Sequence, residues 1–269
     1  MRIFTKLREL FNKLNKFLII KTVKKTDIES LIQEITELSY QTTFLSTVSH
    51  ELRTPLAIIK ECIYLITDEV KGPLTPEQKQ IMLIAEKNYL RLDKLVTDLV
   101  LMSEIESNRI KLVYADLNIK EFISSICAKY KKVAEGKKII IKTLFQSPET
   151  PLMVELDKLK MEIVFNNIIS NSIRFIKDGG SVQIMLNDLP NCVEIRLQDI
   201  GNSPTPKNVN LLLEIFRQDG RSPRSGYQGL GLGLPISKGI VMMHKGTLEI
   251  NTISEKGIEV VVTLPKRKN

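Results

Sequence analysis

The two histidines of the 269-residue chain, His50 and His244, are the first candidates for nucleophilic chemistry. His50 lies in a run of apolar residues spaced by three and four, which places it beside the apolar seam of a helix and facing outward. The adjacent Glu51 can accept a proton from the imidazole or orient it, as a general base does. Pro55 cannot donate a helical hydrogen bond to the Glu51 carbonyl, so we expect the helix to bend or loosen here.

A second candidate group lies on a predicted helix over residues 157–176, where Asn167 and Asn171 are spaced by four. Residues four apart project from the same helix face, so the two amides are expected to lie side by side. Amide oxygens are hard ligands of the kind that Mg²⁺ accepts together with phosphates and water. Two asparagines alone are a weak signal, because exposed helix faces are commonly polar.

A third group consists of glycines. Gly229, Gly231 and Gly233 alternate with leucines and lead into a predicted helix over 232–244. Glycines let backbone N–H groups converge on phosphate oxygens, and a helix N-terminus favours negative charge. A flexible hinge is the alternative interpretation of the same pattern.

A long loop precedes these glycines. Asp199 ends a predicted strand, and Gly201 opens the stretch 200–231, which is rich in glycine, proline and serine and has weak periodicity. Gly201 allows the backbone to approach a ligand closely. A loop of this length inside a compact domain is unusual and indicates a functional segment.

The elements that position these residues change character near Leu112. Before it, apolar residues at heptad a and d positions run from Ile28 to Val70, and a second helix begins after a break, with Thr75 as N-cap and Pro76 in its first turn. Two antiparallel helices cannot bury such a seam well alone. We therefore expect two copies of the chain to form a four-helix bundle.

After Leu112 the pattern predicts an α/β layer with helices on one face of a mixed sheet. The predicted helices are 119–134, 157–176 and 232–244, and the predicted strands are 138–145, 181–187, 192–199, 247–252 and 258–264. The predicted fold class is multidomain: an all-α hairpin, dimeric as a four-helix bundle, followed by an α/β sandwich.

Composition excludes several function classes. The net charge is +8, but the excess lies in residues 1–25 and no nucleic-acid-binding signature accompanies it, so direct nucleic-acid binding is not expected. The three cysteines lack metal-site spacing. No apolar run approaches the ~18 residues of a membrane helix, so we expect a soluble protein or a piece of a longer one.

Residues 1–25 have the pattern of a basic amphipathic helix. Such a helix can lie on an anionic membrane surface or pack against a partner helix. A coiled-coil extension would carry more glutamate than the single Glu9, which favours the membrane surface. The apolar stripe consists of Ile3, Leu7, Leu10, Leu14 and Phe17.

The segment Ser49-His50-Glu51-Leu52-Arg53-Thr54-Pro55 resembles the H-box of sensor histidine kinases. This resemblance implies that His50 is the phosphoacceptor and that Glu51 takes the proton from its ring. Thr54 fits the family's Glu-x-x-Thr pattern, which implies phosphatase activity toward a phosphorylated partner.

The second half resembles the ATP-binding part of the same family. Residues 165–175 are similar to the N-box, which implies nucleotide binding by Asn167 and Asn171, with Asn171 as the Mg²⁺ ligand. Arg174 stands where the family usually has lysine, near the phosphates. The expected cofactors are ATP and Mg²⁺.

Two glycine boxes complete the resemblance. Asp199 and Gly201 resemble the first, whose aspartate hydrogen-bonds the adenine amino group. Gly229, Gly231 and Gly233 resemble the second, which binds phosphate. His244, in a His-Lys-Gly turn, is expected to be structural.

The sequence departs from the family pattern at two further positions. Ser203 replaces a glycine, Leu213 replaces the first phenylalanine of a two-phenylalanine box, and Phe216 keeps the second. These departures motivate an alternative, a catalytically weak dimeric scaffold that binds nucleotide and signals by conformation. The intact H-box argues against that alternative.

The resemblance implies a complete signalling kinase. We expect a signalling helix over 1–40, a dimerisation and phosphoacceptor domain over 41–109, and an ATP-binding domain over 110–269 of the kind shared with gyrase and Hsp90. The expected partners are a second copy of the chain and a separate response regulator with a receiver domain. The expected location is the cytoplasm, with peripheral contact at the inner face of the plasma membrane.

Overall fold

The computed structural model describes residues 51–70, 72–145, 151–176, 178–200, 212–213, 231–253 and 257–266. These residues form two compact units that divide between Arg109 and Ile110. No helix within the described ranges is long and apolar enough to cross a membrane. Residues 1–25 lie outside them, so membrane attachment through that segment stays a prediction.

The described part of the first unit is a pair of helices. The described part of α1 covers residues 51–67 and continues through Pro55, and α2 is Pro76–Glu106. The expected N-cap of α2 is confirmed. The N–H of Gln78 donates to Thr75 Oγ1 at 3.3 Å, and the N–H of Thr75 donates to Gln78 Oε1 at 2.9 Å. This reciprocal pair satisfies N–H groups that the helix itself leaves without partners.

The heptad seam of α1 divides between two environments. Leu56 and Ile63, at a positions, are buried with Tyr89 and Val96 of α2. The d positions are exposed at 40%, 46% and 40%: Leu52, Ile59 and Ile66. The hairpin therefore uses half of the seam for its own core and leaves the other half open.

The apolar pattern of the sequence places Ile81, Ile84, Leu92 and Val96 on one side of α2. Val96 is buried, whereas Ile81, Ile84 and Leu92 are exposed. Tyr89 is buried although no sequence pattern identified it. Because the helix carries apolar residues on more than one side, its periodicity alone does not identify the side that faces α1.

The second unit is an α/β layer. Its helices are α3, Ile119–Gly136; α4, Lys158–Phe175; and α5, Gly233–Met243. Its strands are β1, Ala115–Asn118; β2, Ile140–Phe145; β3, Met153–Leu156; β4, Ser181–Asp188; β5, Cys192–Ile200; β6, Thr247–Ile253; and β7, Gly257–Pro265. The main sheet has the order β2-β4-β5-β7-β6, in which β2 is parallel to β4 and the other neighbours are antiparallel. The predicted mixed sheet is confirmed.

The central strand β5 determines where one candidate residue lies. Val193, Ile195 and Leu197 are fully buried and alternate with half-buried residues. In the pairing register, Ile195 lies opposite Leu186 of β4 and Val262 of β7. Because strand side chains alternate between faces, Asp199 falls on the buried face near the end of β5.

The sequence prediction missed β1 and β3, which pair antiparallel as a separate two-stranded sheet. Each strand is only four residues long. The β1 sequence, Ala-Asp-Leu-Asn, is poor in strand-forming residues. Its pairing partner is distant in the chain, so no local pattern indicates it.

Candidate active site

The phosphoacceptor segment is described only in part. His50 lies outside the described residues. Glu51 and Thr54 belong to α1 and are both exposed. Residues three apart on a helix are neighbours on one face, so the carboxylate and the hydroxyl project from the same side. This segment is accessible to a macromolecular substrate or a partner.

Asn167 connects two helices. Its side chain is buried, and Nδ2 donates to the carbonyl oxygen of Gly233 at 3.1 Å and to Ser237 Oγ at 3.5 Å. Ser237 Oγ donates to the same Gly233 oxygen at 2.8 Å. A Cβ at Gly233 would lie 3.4 Å from Asn167 Cγ, an ordinary van der Waals contact, so the contact follows from the hydrogen bonds and does not require glycine. Asn167 thus fixes the start of α5 against α4.

Asn171 and Arg174 form a pair at the end of α4. Arg174 Nη2 donates to Asn171 Oδ1 at 2.7 Å, and the guanidinium carbon lies 4.5 Å from the ring centroid of Phe175. Burial lowers the pKa of Arg174. Among the described residues, its buried Nε has no hydrogen-bond partner. A half-buried guanidinium that no carboxylate of the described residues pairs with is suited to an anionic ligand.

The backbone beneath Asn171 and Arg174 is held by a residue of another helix. Lys137, at the C-terminal end of α3, donates from Nζ to the carbonyl oxygens of Ile173 and Arg174 at 3.0 and 3.5 Å. The last carbonyls of a helix lack partners within it, and a lysine placed here satisfies them. The backbone under Arg174 is therefore fixed.

Asp199 is buried, and burial raises the pKa of its carboxyl to about 6, with a hydrogen bond from Ser172 acting in the opposite direction. Ser172 lies on α4, so this bond joins the end of β5 to the helix of Asn171. A Cβ at Gly257 would lie 1.8 Å from the carbonyl oxygen of Asp199. Only glycine at position 257 fits against this backbone.

The glycine elements are described in part. Gly231 has φ +72°, a backbone conformation that glycine adopts readily and other residues rarely adopt. The helix α5 begins at Gly233. Leu232, at the N-cap position, provides no side-chain hydrogen bond. The first-turn N–H groups therefore have no side-chain cap and suit an anion. Gly201 and Gly229 lie outside the described residues.

His244 has a structural role, as expected. It is buried, its Nδ1 donates to the Ile240 carbonyl at 2.9 Å, and its Nε2 accepts from the N–H of Asp157 at 3.0 Å. Asp157 caps α4 by accepting from Lys160 N and also accepts from Val113 N at 2.9 Å. Burial lowers the pKa of His244.

Three residues that organise the site were missed by the sequence analysis: Ser172, Ser237 and Gly257. Each serine lies five residues or fewer from a motif position, but serine in a helix carries no periodic signal. In the sequence, Gly257 follows Lys256 between two predicted strands, a pattern that predicts only a turn. The need for glycine there depends on a cross-strand approach that the sequence does not reveal.

The described residues contain no group of three or more histidine, cysteine or acidic residues that could hold a metal. An amide oxygen such as that of Asn171, together with phosphates, is a different kind of donor set and fits Mg²⁺. Leu213 is buried. Ser203 and Phe216 lie outside the described residues.

Two family models match the chain. The His Kinase A (phospho-acceptor) domain matches residues 40–108. The Histidine kinase-, DNA gyrase B-, and HSP90-like ATPase matches residues 156–268. The chain therefore belongs to the sensor histidine kinases.

Two relatives illustrate the similarity. The chain is 34% identical over 255 residues to hybrid signal transduction histidine kinase D of Dictyostelium discoideum, covering 91% of this chain and 16% of that protein. It is 28% identical over 254 residues to sensor histidine kinase RcsC of Escherichia coli (strain K12), covering 92% and 26%. The chain thus spans about a quarter or less of these relatives.

Solved structures share the fold. The crystal structure of full-length ShkA in complex with AMPPNP matches with a TM-score of 0.72 at 22% identity, covering 84% of this chain and 46% of that one. The Acinetobacter baumannii histidine kinase AdeS matches with a TM-score of 0.57 at 21% identity, covering 81% and 98%.

Proposed function

We propose that the chain is an ATP-dependent protein-histidine kinase that phosphorylates its own His50 and passes the phosphoryl group to an aspartate of a response regulator. The observation that carries the proposal is the linked set on α4. Ser172 bonds to Asp199, and the neighbouring Asn171 bonds to Arg174. The helix α4 thereby positions a carboxyl group that is suited to a nucleobase. It also carries an amide and a guanidinium that are suited to phosphates.

The nucleotide binds along these residues, with its adenine at Asp199 and its phosphates at Arg174. Asp199 accepts a hydrogen bond from the adenine amino group. Gly257, which has no side chain, leaves room for the backbone carbonyl of Asp199. The uncapped start of α5 and Arg174 bind the phosphates. Asn171 Oδ1 is the ligand for Mg²⁺, which when bound supplies charge neutralisation at the phosphates.

The chemical step is an in-line displacement. A ring nitrogen of His50 attacks the γ-phosphorus, the N–P bond forms, and the bond from phosphorus to the β–γ bridging oxygen breaks to release ADP. Glu51 takes the proton from the other ring nitrogen. Arg174 offsets the developing charge, and positioning supplies most of the rate in reactions of this kind.

The open half of the heptad seam supports a homodimer. Leu52, Ile59 and Ile66 lie seven residues apart and are exposed in the single chain. A two-fold axis along this stripe would bury it against its own copy, giving a four-helix bundle.

Thr54 supports a second reaction, removal of the phosphoryl group from the regulator. Its exposed hydroxyl lies one helical turn beyond the phosphoacceptor and can hold a water for attack on an aspartyl phosphate. We expect Thr54→Ala to keep autophosphorylation and to slow dephosphorylation of the regulator. Thr67→Ala, on the same helix, is the matched control, and an unchanged phosphatase rate in Thr54→Ala would reject this role.

The proposed kinase activity is tested by incubation with ATP labelled in its γ-phosphate. We expect Asn171→Ala to lose labelling at ordinary ATP concentrations, because it removes the proposed cation ligand. Asn88→Ala removes an exposed amide from α2 and should label normally. Equal labelling of the two variants would contradict the assignment of the phosphate end.

A further inference from the structure

Two groups compete for the same oxygen at the end of α4. Asn171 Oδ1 accepts a hydrogen bond of 2.7 Å from Arg174 Nη2. A lone pair engaged by a charged donor is a poor ligand for a cation, and the positive guanidinium repels that cation as well. Arg174 and a cation would therefore compete for the oxygen that is proposed to bind Mg²⁺.

The guanidinium itself is poorly satisfied in this position. Its Nε is buried without a partner among the described residues, and no carboxylate is paired with it there. An unsatisfied buried donor carries a desolvation cost that a suitable acceptor would relieve. Phosphate oxygens are such acceptors, and they match the planar fork of arginine.

The pair can separate without moving the helix. Lys137 holds the carbonyl oxygens of Ile173 and Arg174 from α3, so the backbone below the pair is fixed. The separation then requires only rotation about side-chain bonds of Arg174. Release breaks the hydrogen bond to Asn171 and moves the guanidinium from its place 4.5 Å from the Phe175 ring centroid.

We propose, building on the proposed nucleotide function, that Arg174 is a latch on Asn171 that opens when nucleotide phosphates draw the guanidinium away. Phosphate binding then frees the amide oxygen for the cation. Arg174 is a specificity-determining residue in this scheme, because a ligand without phosphates leaves the latch closed. Adenosine is predicted to bind without releasing Asn171, whereas ATP releases it even when no Mg²⁺ is present.

The test follows the side-chain amide signal of Asn171 by ¹⁵N NMR of the whole chain, assigned by its loss in Asn171→Ala. In Arg174→Met the hydrogen bond is absent, so that variant gives the reference position of a released amide. We expect ATP with EDTA to move the wild-type signal toward this reference position. Adenosine should leave the signal near its starting position.

Calorimetry on the same samples separates the latch from the proposed function. We expect Arg174→Met to weaken metal-free ATP binding by about tenfold, as for loss of a charged hydrogen bond, and to leave adenosine binding unchanged. Arg91→Met, the same change at an exposed position of α2, should alter neither.

Each outcome has a distinct meaning. ATP that binds by calorimetry but leaves the Asn171 signal in place would overturn the latch alone, as would an equal shift with adenosine. A chain that binds no ATP at all would overturn the proposed function and the latch together.

Discussion

The two units of the chain treat apolar side chains in opposite ways. In the hairpin, Leu56 and Ile63 are buried while Leu52, Ile59 and Ile66 of the same helix are at least 40% exposed. In the α/β unit, Val193, Ile195 and Leu197 of the central strand are buried completely within one chain. The chain itself fills the centre of the α/β sheet, whereas the hairpin leaves an apolar stripe open, as the homodimer that we propose requires.

Polar groups show the reverse contrast. The hairpin presents Glu51 and Thr54 on an exposed surface, where another protein domain can reach them. The α/β unit buries Asp199 and Asn167 and satisfies them through α4 and its neighbours. A surface that must meet changing partners stays open, while a site for one small ligand is assembled in advance.

The largest expected effect is on the self-contained core. Phe165 is fully buried on α4, so Phe165→Ala should lower the free energy of unfolding of the α/β unit by about 3–5 kcal/mol. Denaturant titration followed by circular dichroism measures the change. The loss should not depend on protein concentration; a strong dependence would mean that this core also needs a partner.

A substitution on the open stripe of the hairpin should weaken dimerisation. Ile59→Lys places a charge on the open stripe of both copies, and we expect the dimer dissociation constant to rise about a hundredfold, from loss of roughly 1.5 kcal/mol of burial per chain. Ile58→Lys, at a neighbouring exposed position, is the control. Analytical ultracentrifugation measures both, and equal effects would argue against the stripe as the interface.

Acid should weaken nucleotide binding through Asp199. Burial raises the pKa of its carboxyl to about 6. Below that pH the carboxyl must lose a proton before it can accept a hydrogen bond from the adenine amino group. We expect the affinity for ATP to fall about tenfold between pH 7 and pH 5, since one pH unit below a pKa corresponds to a factor of ten. Calorimetry checks this, and Asp199→Asn should show a flat profile over that interval.

The same carboxyl has the opposite effect on folding. A folded-state pKa above the ordinary value of 3.8 means that the folded chain binds the proton more tightly than the unfolded chain. Its contribution to stability therefore increases as the pH falls from about 6 towards 3.8. Binding and stability should consequently change in opposite directions in wild type.

The smallest expected effect concerns His244. Burial lowers its pKa below the ordinary 6.5, so its contribution to stability is present above pH 6.5 and is lost as the pH falls through the folded-state pKa. His244→Gln keeps an acceptor for the Asp157 N–H, and we expect a cost of only about 1 kcal/mol. Thermal unfolding measured at several pH values should show that the variant lacks this pH-dependent contribution to stability. A pH profile identical to that of wild type would mean that His244 is not the group responsible.

The sequence was most informative where chemistry depends on residue type and local spacing. The helix carrying Asn167 and Asn171, the N-cap at Thr75 and the mixed sheet were all predicted. Each depends on a pattern within a few residues or on apolar periodicity, both of which are visible in a linear chain.

What the sequence could not provide depends on contacts between distant segments. The bond between Ser172 and Asp199 and the approach of Gly257 to Asp199 join elements far apart in the chain. The strands β1 and β3 are too short to show alternation. The heptad pattern predicted the seam but not that Leu56 would turn inward while Ile59 stays open, because the two faces have the same composition.

Phosphorylation of His50 is the central claim, and one measurement tests it most directly. The chain and its His50→Gln variant are incubated with γ-labelled ATP and Mg²⁺, and the protein-bound label is then exposed to acid and to alkali. The account predicts an acid-labile, alkali-stable label on wild type and none on the variant, with equal ATP affinity in both. Acid-labile label that persists in His50→Gln would contradict it, as would a wild-type chain that binds ATP and takes no label.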